Sequence, residues 1–251
     1  MRHTNQKVRS LVFIDYNRVA VLRDHTLLSR FPKQRPPLPE AYRKIYVEHY
    51  KRNREGASAA SSLSQKMESW MHRKVAEDVA GIARVPRTLE IGAGGLNHLR
   101  YEPPSGEYDI VEPIIGLVTN SPRRSRVTNA YSDIRDASGQ YERIISIAAF
   151  EHYCNLPEVI SRCKELLAPG GNLRIAVPSE GTILWTLGWK LTTGLEFRLK
   201  YGLDYGVLMK HEHVNTAAEI EGVLQAFFGR VKRSVLGLSG SLSFYQFFQC
   251  S

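Results

Sequence analysis

The sequence predicts an α/β protein with a doubly wound, mostly parallel β-sheet, an antiparallel strand near the C-terminus and an N-terminal helical extension. Two observations predict this fold class. Between residues 88 and 177, short apolar runs alternate with polar or amphipathic stretches, as buried parallel strands alternate with their crossover helices. After residue 230, two strand-like runs are joined through Gly237 and Gly240, which predicts an antiparallel pair.

The N-terminal extension, predicted as residues 1–64, is separated from the sheet by residues that interrupt helices. The prolines between residues 32 and 39 exclude a continuous helix there. Apolar side chains at helical spacing predict a helix over 39–50, and the small residues of 56–64 predict a hinge that ends at a helix cap, Ser64. A further predicted helix, with apolar positions between residues 67 and 79, leads into the main domain.

The main domain, predicted as residues 65–251, contains the strands and the helices that connect them. The predicted strands cover residues 88–91, 108–111, 144–148, 173–177, 231–236 and 243–249. A helix over 156–167 has its apolar side chains on one face and is ended by Pro169-Gly170-Gly171. It completes one strand–helix–strand unit. A second helix is predicted over 217–228.

The composition is typical of a globular protein, with 43% hydrophobic and 24% charged residues. The longest apolar runs fall far short of the ~20 residues of a transmembrane helix. The N-terminus lacks the pattern of a secretory signal, so we expect a cytoplasmic location. The cysteines show no spacing typical of a zinc site or a disulfide framework, and we expect them to be reduced.

Basic residues are concentrated at the N-terminus. Residues 1–54 contain 13 Lys and Arg but only 4 Asp and Glu, so this segment accounts for the whole formal net charge of +9. Such an asymmetry indicates an arm that meets an anionic partner, such as a nucleic acid, a phosphorylated substrate or a membrane surface. A solvated leader without a partner explains it equally well.

A glycine-rich turn, Gly92-Ala93-Gly94-Gly95, follows the first strand. Glycine allows a sharp bend there and a close approach of a ligand to the backbone. The second strand ends at Glu112, 22 residues after Glu90, and a carboxylate at that position can accept both hydroxyl protons of a ribose. Asn97 stands where a dinucleotide fingerprint has its third glycine, which argues against NAD. A purely structural corner between strand and helix is the alternative.

Further along the chain, the order of motifs matches that of a known enzyme family. Asp133-Ile134 follows the second strand, Phe150-Glu151-His152 follows the predicted strand over 144–148, and Leu167-Ala168-Pro169-Gly170-Gly171 precedes the next strand. With the glycine turn and Glu112, these motifs resemble the class I S-adenosylmethionine-dependent methyltransferases, in particular their small-molecule branch. The resemblance covers residues 70–250.

This resemblance implies a seven-stranded sheet and S-adenosylmethionine (SAM) as the cofactor. The glycine turn would contact the methionine part of SAM, Glu112 the ribose and Asp133 the adenine. The cofactor-binding residues that the resemblance implies are Glu90, Gly92, Ala93, Gly94, Glu112, Pro113, Asp133, Ile134, Ala148 and Ala149. The aromatic segment 182–213 would form a lid that selects the substrate.

Three histidines are candidates for catalysis. His152 is predicted near the carboxyl end of a strand, where open α/β sheets bind ligands, and a neutral imidazole there could take the proton of an acceptor hydroxyl. Packing beside the cofactor is the alternative role. His211 and His213 would share one face of an extended segment and could position the substrate or act as a base. Because no third ligand has a recognisable spacing, this pair does not predict a metal site.

We therefore expect a cytoplasmic methyltransferase that uses SAM to methylate a small molecule, with a hydroxyl favoured over an amine or a carbon as the acceptor. One alternative is an RNA methyltransferase guided by the basic arm, although the arm has few aromatic residues for stacking on bases. Another is a non-catalytic cofactor-binding protein of the same fold. The sequence predicts neither a membrane span nor a nucleic-acid partner, and it is compatible with a homodimer.

Overall fold

A seven-stranded β-sheet forms the centre of the protein, whose computed structural model describes residues 25–46 and 62–251. The strands are β1 (Thr88–Ile91), β2 (Tyr108–Val111), β3 (Ala130–Tyr131), β4 (Tyr141–Ile147), β5 (Leu167–Pro178), β6 (Val231–Gly237) and β7 (Ser243–Cys250). Their order is β3-β2-β1-β4-β5-β7-β6. The first five strands pair in parallel, whereas β7 is antiparallel to both of its neighbours. The predicted fold class is therefore confirmed.

Helices pack on both faces of this sheet. They are α1 (His25–Leu28), α2 (residues 40–46), α3 (Ser62–Ala76), α4 (Ile115–Thr119), α5 (Leu156–Leu166), α6 (Ile183–Leu191), α7 (Thr193–Tyr201), α8 (Tyr205–Glu212) and α9 (Ala217–Phe227). Short 3-10 turns, among them His98–Arg100 and Phe150–His152, connect some of the strands and helices. In the described part of the chain, no helix has the length and apolar character needed to cross a membrane.

The side chains of the central strands alternate between two cores. On β4, Ile144 belongs to the core that contains apolar side chains of α5 and α9, whereas Ile145 and Ile147 belong to the core that contains those of α3. Alternation follows from the period of two along a strand. Because both faces are covered by helices, the exposed edge that a ligand can reach is the line of strand ends.

Most predicted elements lie within a few residues of the observed ones. The helix predicted over 156–167 is α5, and that over 217–228 is α9, which begins with a capping box between Thr216 and Glu219. The two-residue strand β3 was not predicted, because only two residues pair with β2. Ser64 was predicted to cap α3 but lies inside this helix. Because several serines are close together there, residue type alone does not indicate at which of them the helix begins.

The described part of the N-terminal segment packs on the lid segment 182–213. Leu38 and Tyr42 form a small core with Phe197 and Leu208. The hydroxyl oxygen of Tyr42 also accepts a hydrogen bond from the backbone N–H of Asp204 at 3.1 Å. The helix predicted over 39–50 is present at 40–46, and its remainder lies outside the described residues, as do 1–24 and most of the predicted hinge. The division of the chain after residue 64 stays a prediction.

Two arginines are buried where α3 meets the sheet. Arg143 on β4 forms two hydrogen bonds of 3.0 Å with the carboxylate of Glu102 and one of 3.0 Å with Asp78. Arg174 on β5 donates to the backbone oxygen of Val75 at 2.8 Å, and Arg143 donates to the same oxygen at 2.9 Å. Positive charge at the C-terminal end of a helix is favourable because that end carries partial negative charge. The arginines therefore fix α3 on the sheet.

Candidate active site

The glycine turn after β1 forms one wall of the site. Gly92 and Gly94 have φ angles of 74° and 52°, in the left-handed region that L side chains rarely adopt. A Cβ atom on Gly92 would lie 2.5 Å from the Cβ atom of Ala149, so only glycine permits this close approach. A Cβ atom on Gly94 would meet no atom within 4 Å. The backbone of the turn is therefore open to a ligand at Gly94.

Glu112, directly after β2, holds this turn in place. Its Oε2 atom accepts a hydrogen bond from the N–H of Gly94 at 2.8 Å, and its Oε1 atom accepts one from the N–H of Ile114 at 2.9 Å. The residue is 1% exposed. Since an ionised carboxylate has about four acceptor positions, bonding to the turn does not exclude a ligand hydroxyl.

A cavity of about 570 Å³ lies at the carboxyl ends of β1, β2 and β4. Open parallel sheets bind their ligands at this edge. Eight of the predicted cofactor-binding residues line the cavity: Glu90, Gly92, Ala93, Gly94, Glu112, Pro113, Ala148 and Ala149. Two of the predicted catalytic residues, His152 and His213, line it as well. The fold thus brings most of the predicted site residues together in one cavity.

Ala148 has an unusual backbone conformation in this cavity. Its φ angle is 51°, and its side chain is exposed although the residues on either side are buried. Its N–H donates to the backbone oxygen of Ala176 at 2.8 Å, which continues the pairing of β4 with β5. A non-glycine residue in this conformation stores strain, and such strain is concentrated at functional sites.

Three polar side chains meet at one part of the cavity wall. His152 and His213 lie with their ring centroids 5.0 Å apart and their planes at 72°. The Nδ1 atom of His152 is 2.9 Å from the backbone oxygen of Glu212, and that of His213 is 2.8 Å from a carboxylate oxygen of Glu180. The Nε2 atom of His152 is 3.9 Å from Glu151, whose side chain is almost fully buried. The rings are thus held by bonds through Nδ1.

The environments of the two histidines shift their pKa values in opposite directions. Burial lowers the pKa of His152, and the nearby charge of Glu151 opposes this only in part. Burial acts in the same direction on His213, but the hydrogen bond to Glu180 and the negative charge of Glu151 outweigh it and raise the pKa. Two adjacent imidazoles with different proton affinities are therefore present at the cavity.

Glu90 is buried at the base of the glycine turn. It is 2% exposed, and its Oε2 atom accepts a hydrogen bond from the hydroxyl of Tyr108 at 2.9 Å. Burial raises the pKa of Glu90 to about 8, because the charged form loses water, and the bond from Tyr108 offsets only part of this effect. Glu90 is thus a carboxyl group that can gain or lose a proton near neutral pH.

Comparison by sequence gave no match: no protein-family model matches the chain, and no curated protein is significantly similar to it. Solved structures match it by fold. The chain is similar to an O-methyltransferase family protein from Burkholderia thailandensis, with a TM-score of 0.53 and 18% identity over 89% of this chain. It spans 65% of that protein's length.

Two further solved structures have the same arrangement. One is the plantazolicin methyltransferase BpumL in complex with a pentazolic desmethylPZN analog and SAH, with a TM-score of 0.58 and 13% identity, covering 83% of this chain and 90% of BpumL. The other is a SAM-dependent methyltransferase from Thermotoga maritima, described as a possible histamine N-methyltransferase, with a TM-score of 0.51 and 13% identity over 82% and 96% of the two chains. The chain has the class I methyltransferase fold. The predicted resemblance is thereby confirmed at the level of fold.

Two of the predicted cofactor-binding residues, Asp133 and Ile134, lie outside the cavity lining. The carboxylate of Asp133 accepts hydrogen bonds from the backbone N–H of Arg135 at 2.9 Å and from its guanidinium at 2.9 and 2.5 Å. The bond from this guanidinium lowers the pKa of Asp133. Ile134 is buried in the core beside α5. A contact of Asp133 with the adenine, and of Ile134 with the cofactor, stays a prediction.

His211 is also separated from the other candidate histidines. Its Nδ1 atom is 2.7 Å from the backbone oxygen of Pro36, and its ring packs edge-on against Tyr46 with centroids 5.4 Å apart. The side chains of His211 and His213 would share one face only if this segment were extended. The segment is not extended, because α8 continues to Glu212, so the two side chains point in different directions. The structure brings His213 to the cavity and His211 to the N-terminal segment.

Other residues of the cavity wall are not among the predicted cofactor-binding and catalytic residues given above. His72 on α3 and His98 contact each other through their Nδ1 atoms at 3.0 Å, and His98 bonds Glu102 at 2.6 Å. Burial and the adjacent His98 lower the pKa of His72 to about 3, so this imidazole is neutral. Arg35 donates to the backbone oxygens of His152, His211 and Glu212. These contacts join residues far apart in the chain, and no local pattern indicates them.

Proposed function

We propose that this protein is a SAM-dependent methyltransferase that methylates a hydroxyl group of a small molecule. The observation that carries the proposal is a single cavity shared by the glycine turn, Glu112 and the histidines His152 and His213. Its volume of about 570 Å³ is in the range of small-molecule sites. The fold neighbour solved with SAH, the demethylated product of SAM, supports the choice of cofactor.

In this proposal, the cofactor lies along the strand ends. The methionine part rests on the open backbone at Gly94, and Glu112 accepts the ribose hydroxyls. The buried carboxyl of Glu90 lies in the same cavity and would bind the positively charged amino group, which favours its ionised form. The open backbone at Gly94 would let the methionine part of the cofactor approach closely.

The proposed reaction is an in-line displacement. The bond between the methyl carbon and the sulfonium sulfur breaks while a bond from the acceptor oxygen to the same carbon forms. Sulfur keeps the electron pair, which leaves a neutral thioether, and the hydroxyl proton leaves the acceptor. The protein mainly aligns the two reactants and excludes water. His152 and His213 are proposed to bind the acceptor hydroxyl and assist loss of its proton.

Contacts in the described part of the basic N-terminal segment, residues 25–46, favour a small acceptor over RNA. Arg30 and Lys33 form ion pairs of 2.7 and 2.8 Å with Glu219, and Arg35 donates to backbone oxygens at the cavity. These cations are used within the chain. Methyl incorporation into an RNA that is bound tightly and selectively near physiological salt would contradict the proposal.

The first test concerns cofactor binding. We expect Glu112→Ala to lower the affinity for SAH about 10- to 100-fold, since loss of two hydrogen bonds to a charged group costs roughly 1.5–3 kcal/mol. Titration calorimetry on the ligand-free protein measures this directly. Glu107→Ala is the matched control, because Glu107 is an exposed glutamate just before β2, whereas Glu112 directly follows β2. A folded wild-type protein that binds NAD but not SAH would refute the proposal.

The second test concerns turnover. After a panel of hydroxylated and amino acceptors has identified a substrate, we expect His152→Ala and His213→Ala each to lower kcat about 100-fold, with little change in SAH affinity. Because the ring of His211 contacts Pro36, we expect a smaller loss for His211→Ala. Full turnover by both His152→Ala and His213→Ala would show that alignment of the acceptor with the methyl group is sufficient for the reaction, without a base.

A further inference from the structure

We propose that Glu151, His152 and His213 bind a divalent transition-metal ion. One carboxylate oxygen and one ring nitrogen from each histidine lie within 4.8 Å of one another. An ion bound at about 2.1 Å keeps its ligand atoms no more than about 4.2 Å apart, so small side-chain adjustments close the site. Within residues 25–46 and 62–251, no other trio of His, Cys, Asp or Glu meets this distance criterion.

The hydrogen bonds of the two histidines are those of metal ligands. Histidines that bind a metal through one nitrogen usually donate the other N–H to a carboxylate or a backbone oxygen, which fixes the tautomer. His152 has such a bond to the backbone oxygen of Glu212, and His213 has one to the carboxylate of Glu180. With both Nδ1 atoms used in this way, the lone pair of each ring is on Nε2. The Nε2 atom of His152 lies on the side of Glu151.

Glu151 supplies independent support, because it is a buried carboxylate with an unsatisfied oxygen. The residue is 1% exposed, and its Oε2 atom has no hydrogen-bond partner among the described residues. Its backbone oxygen accepts the N–H groups of Val214 and Asn215 at 2.9 and 3.1 Å, which holds the residue after His213 against the end of β4. An unpaired buried charge is costly, and a bound cation removes that cost.

The charges around the trio also favour a cation. The carboxylates of Glu180 and Glu212 lie beside the two imidazoles, in addition to that of Glu151. Arg35, the nearby guanidinium, donates its hydrogen bonds to backbone oxygens rather than to these carboxylates. Two nitrogens and one oxygen suit zinc, cobalt, iron or manganese better than magnesium or calcium, which prefer oxygen ligands. The sequence did not indicate the site because Glu151 is brought to His213 only by the fold.

This inference rests on the proposed function for its role in the reaction. A metal with three protein ligands has positions left for an acceptor hydroxyl, whose pKa falls when the oxygen is coordinated. The hydroxyl proton passes to water, the oxygen attacks the methyl carbon, and sulfur keeps the electron pair. No oxidation or reduction is involved. The ion would hold the nucleophile next to the methyl group, and His152 and His213 would act on the hydroxyl as ligands of the ion rather than by direct contact.

The test measures metal binding directly, on full-length protein without a histidine tag that has been treated with a chelator. We expect one Co²⁺ or Zn²⁺ per chain by calorimetry, with a visible absorption spectrum for Co²⁺. Glu151→Gln and His213→Ala should weaken binding at least about 100-fold, and Glu180→Gln about 10- to 100-fold, as is typical for a residue that bonds a ligand. His211→Ala, two residues before His213, is the control and should bind as the wild type does.

SAH titration of the same samples separates the two proposals. Metal binding by the wild type that is equally strong in Glu151→Gln and His213→Ala would overturn the metal site, as would no binding of either ion. If Glu151→Gln does not fold, His152→Ala replaces it, because that side chain is 26% exposed. Loss of metal binding in the variants with SAH affinity retained supports the site. Metal binding without any SAH binding would overturn only the proposed function.

Discussion

Arg143→Met is expected to lower the free energy of unfolding by about 3–5 kcal/mol, as is typical when one partner of a buried ion pair is removed. Arg143 is fully buried and is hydrogen-bonded to Glu102, Asp78 and the backbone oxygen of Val75. Methionine fills a similar volume but donates no hydrogen bond, so the carboxylate of Glu102 loses its arginine and that of Asp78 is left with Arg174 alone. Denaturant unfolding of both proteins, followed by circular dichroism, gives the difference.

Two further variants test whether the missing charge is the cause. Arg84→Met removes an exposed arginine that pairs with Glu142 at 2.7 Å, and we expect almost no effect, since exposed pairs contribute little. In the double variant Arg143→Met/Glu102→Gln, stability should partly recover, because the buried carboxylate that lost its arginine is replaced by a neutral amide. An Arg143→Met protein as stable as Arg84→Met would show that the network is not needed.

Glu90→Gln is expected to change how the stability of the ligand-free protein depends on pH. Burial raises the pKa of Glu90 to about 8 in the folded state, against an ordinary value of 4.5. Between these values the folded state binds more protons than the unfolded state. Wild-type stability therefore falls as pH rises through this window, by up to about 1.4 kcal/mol per pH unit, while glutamine has no such dependence.

The measurement is thermal unfolding of both proteins from about pH 5 to about pH 9.5. The variant should gain stability relative to the wild type as pH rises, and the gain should level off above the folded pKa. The variant should bind SAH less tightly than the wild type does, because glutamine cannot carry the negative charge that attracts an amino group. A stability difference that stays constant with pH would show that Glu90 does not titrate in this range.

Much of the fold was predictable because the central strands are short apolar runs that are buried on both faces. The glycine turn and Glu112 were predictable as well, since each directly follows such a strand. The two-residue strand β3 was not, because its place is set by pairing with β2 rather than by its own composition. A local sequence pattern therefore identifies strands that are apolar along their own length, but not a strand that is defined by its pairing partner.

The histidine pair and the buried arginines show where such prediction ends. His152 and His213 are 61 residues apart in the sequence, and His211, with which His213 was grouped, lies inside α8, whereas His213 follows the end of that helix. Arg143 belongs to β4 but stands just before the apolar run predicted as a strand over 144–148, and its partner Glu102 lies 41 residues away. Contacts of this kind depend on how three or more elements pack, and a single sequence does not contain that information.

The three hydrogen bonds of Arg35 couple the entrance of the cavity to the N-terminal segment. Its guanidinium bridges the end of α8, through His211 and Glu212, to the end of β4, through His152. Any motion that moves α8 away from β4 must break bonds on one side of this bridge or carry the N-terminal segment along. Opening of the cavity wall between α8 and the turn that contains His152 would therefore also loosen the N-terminal segment.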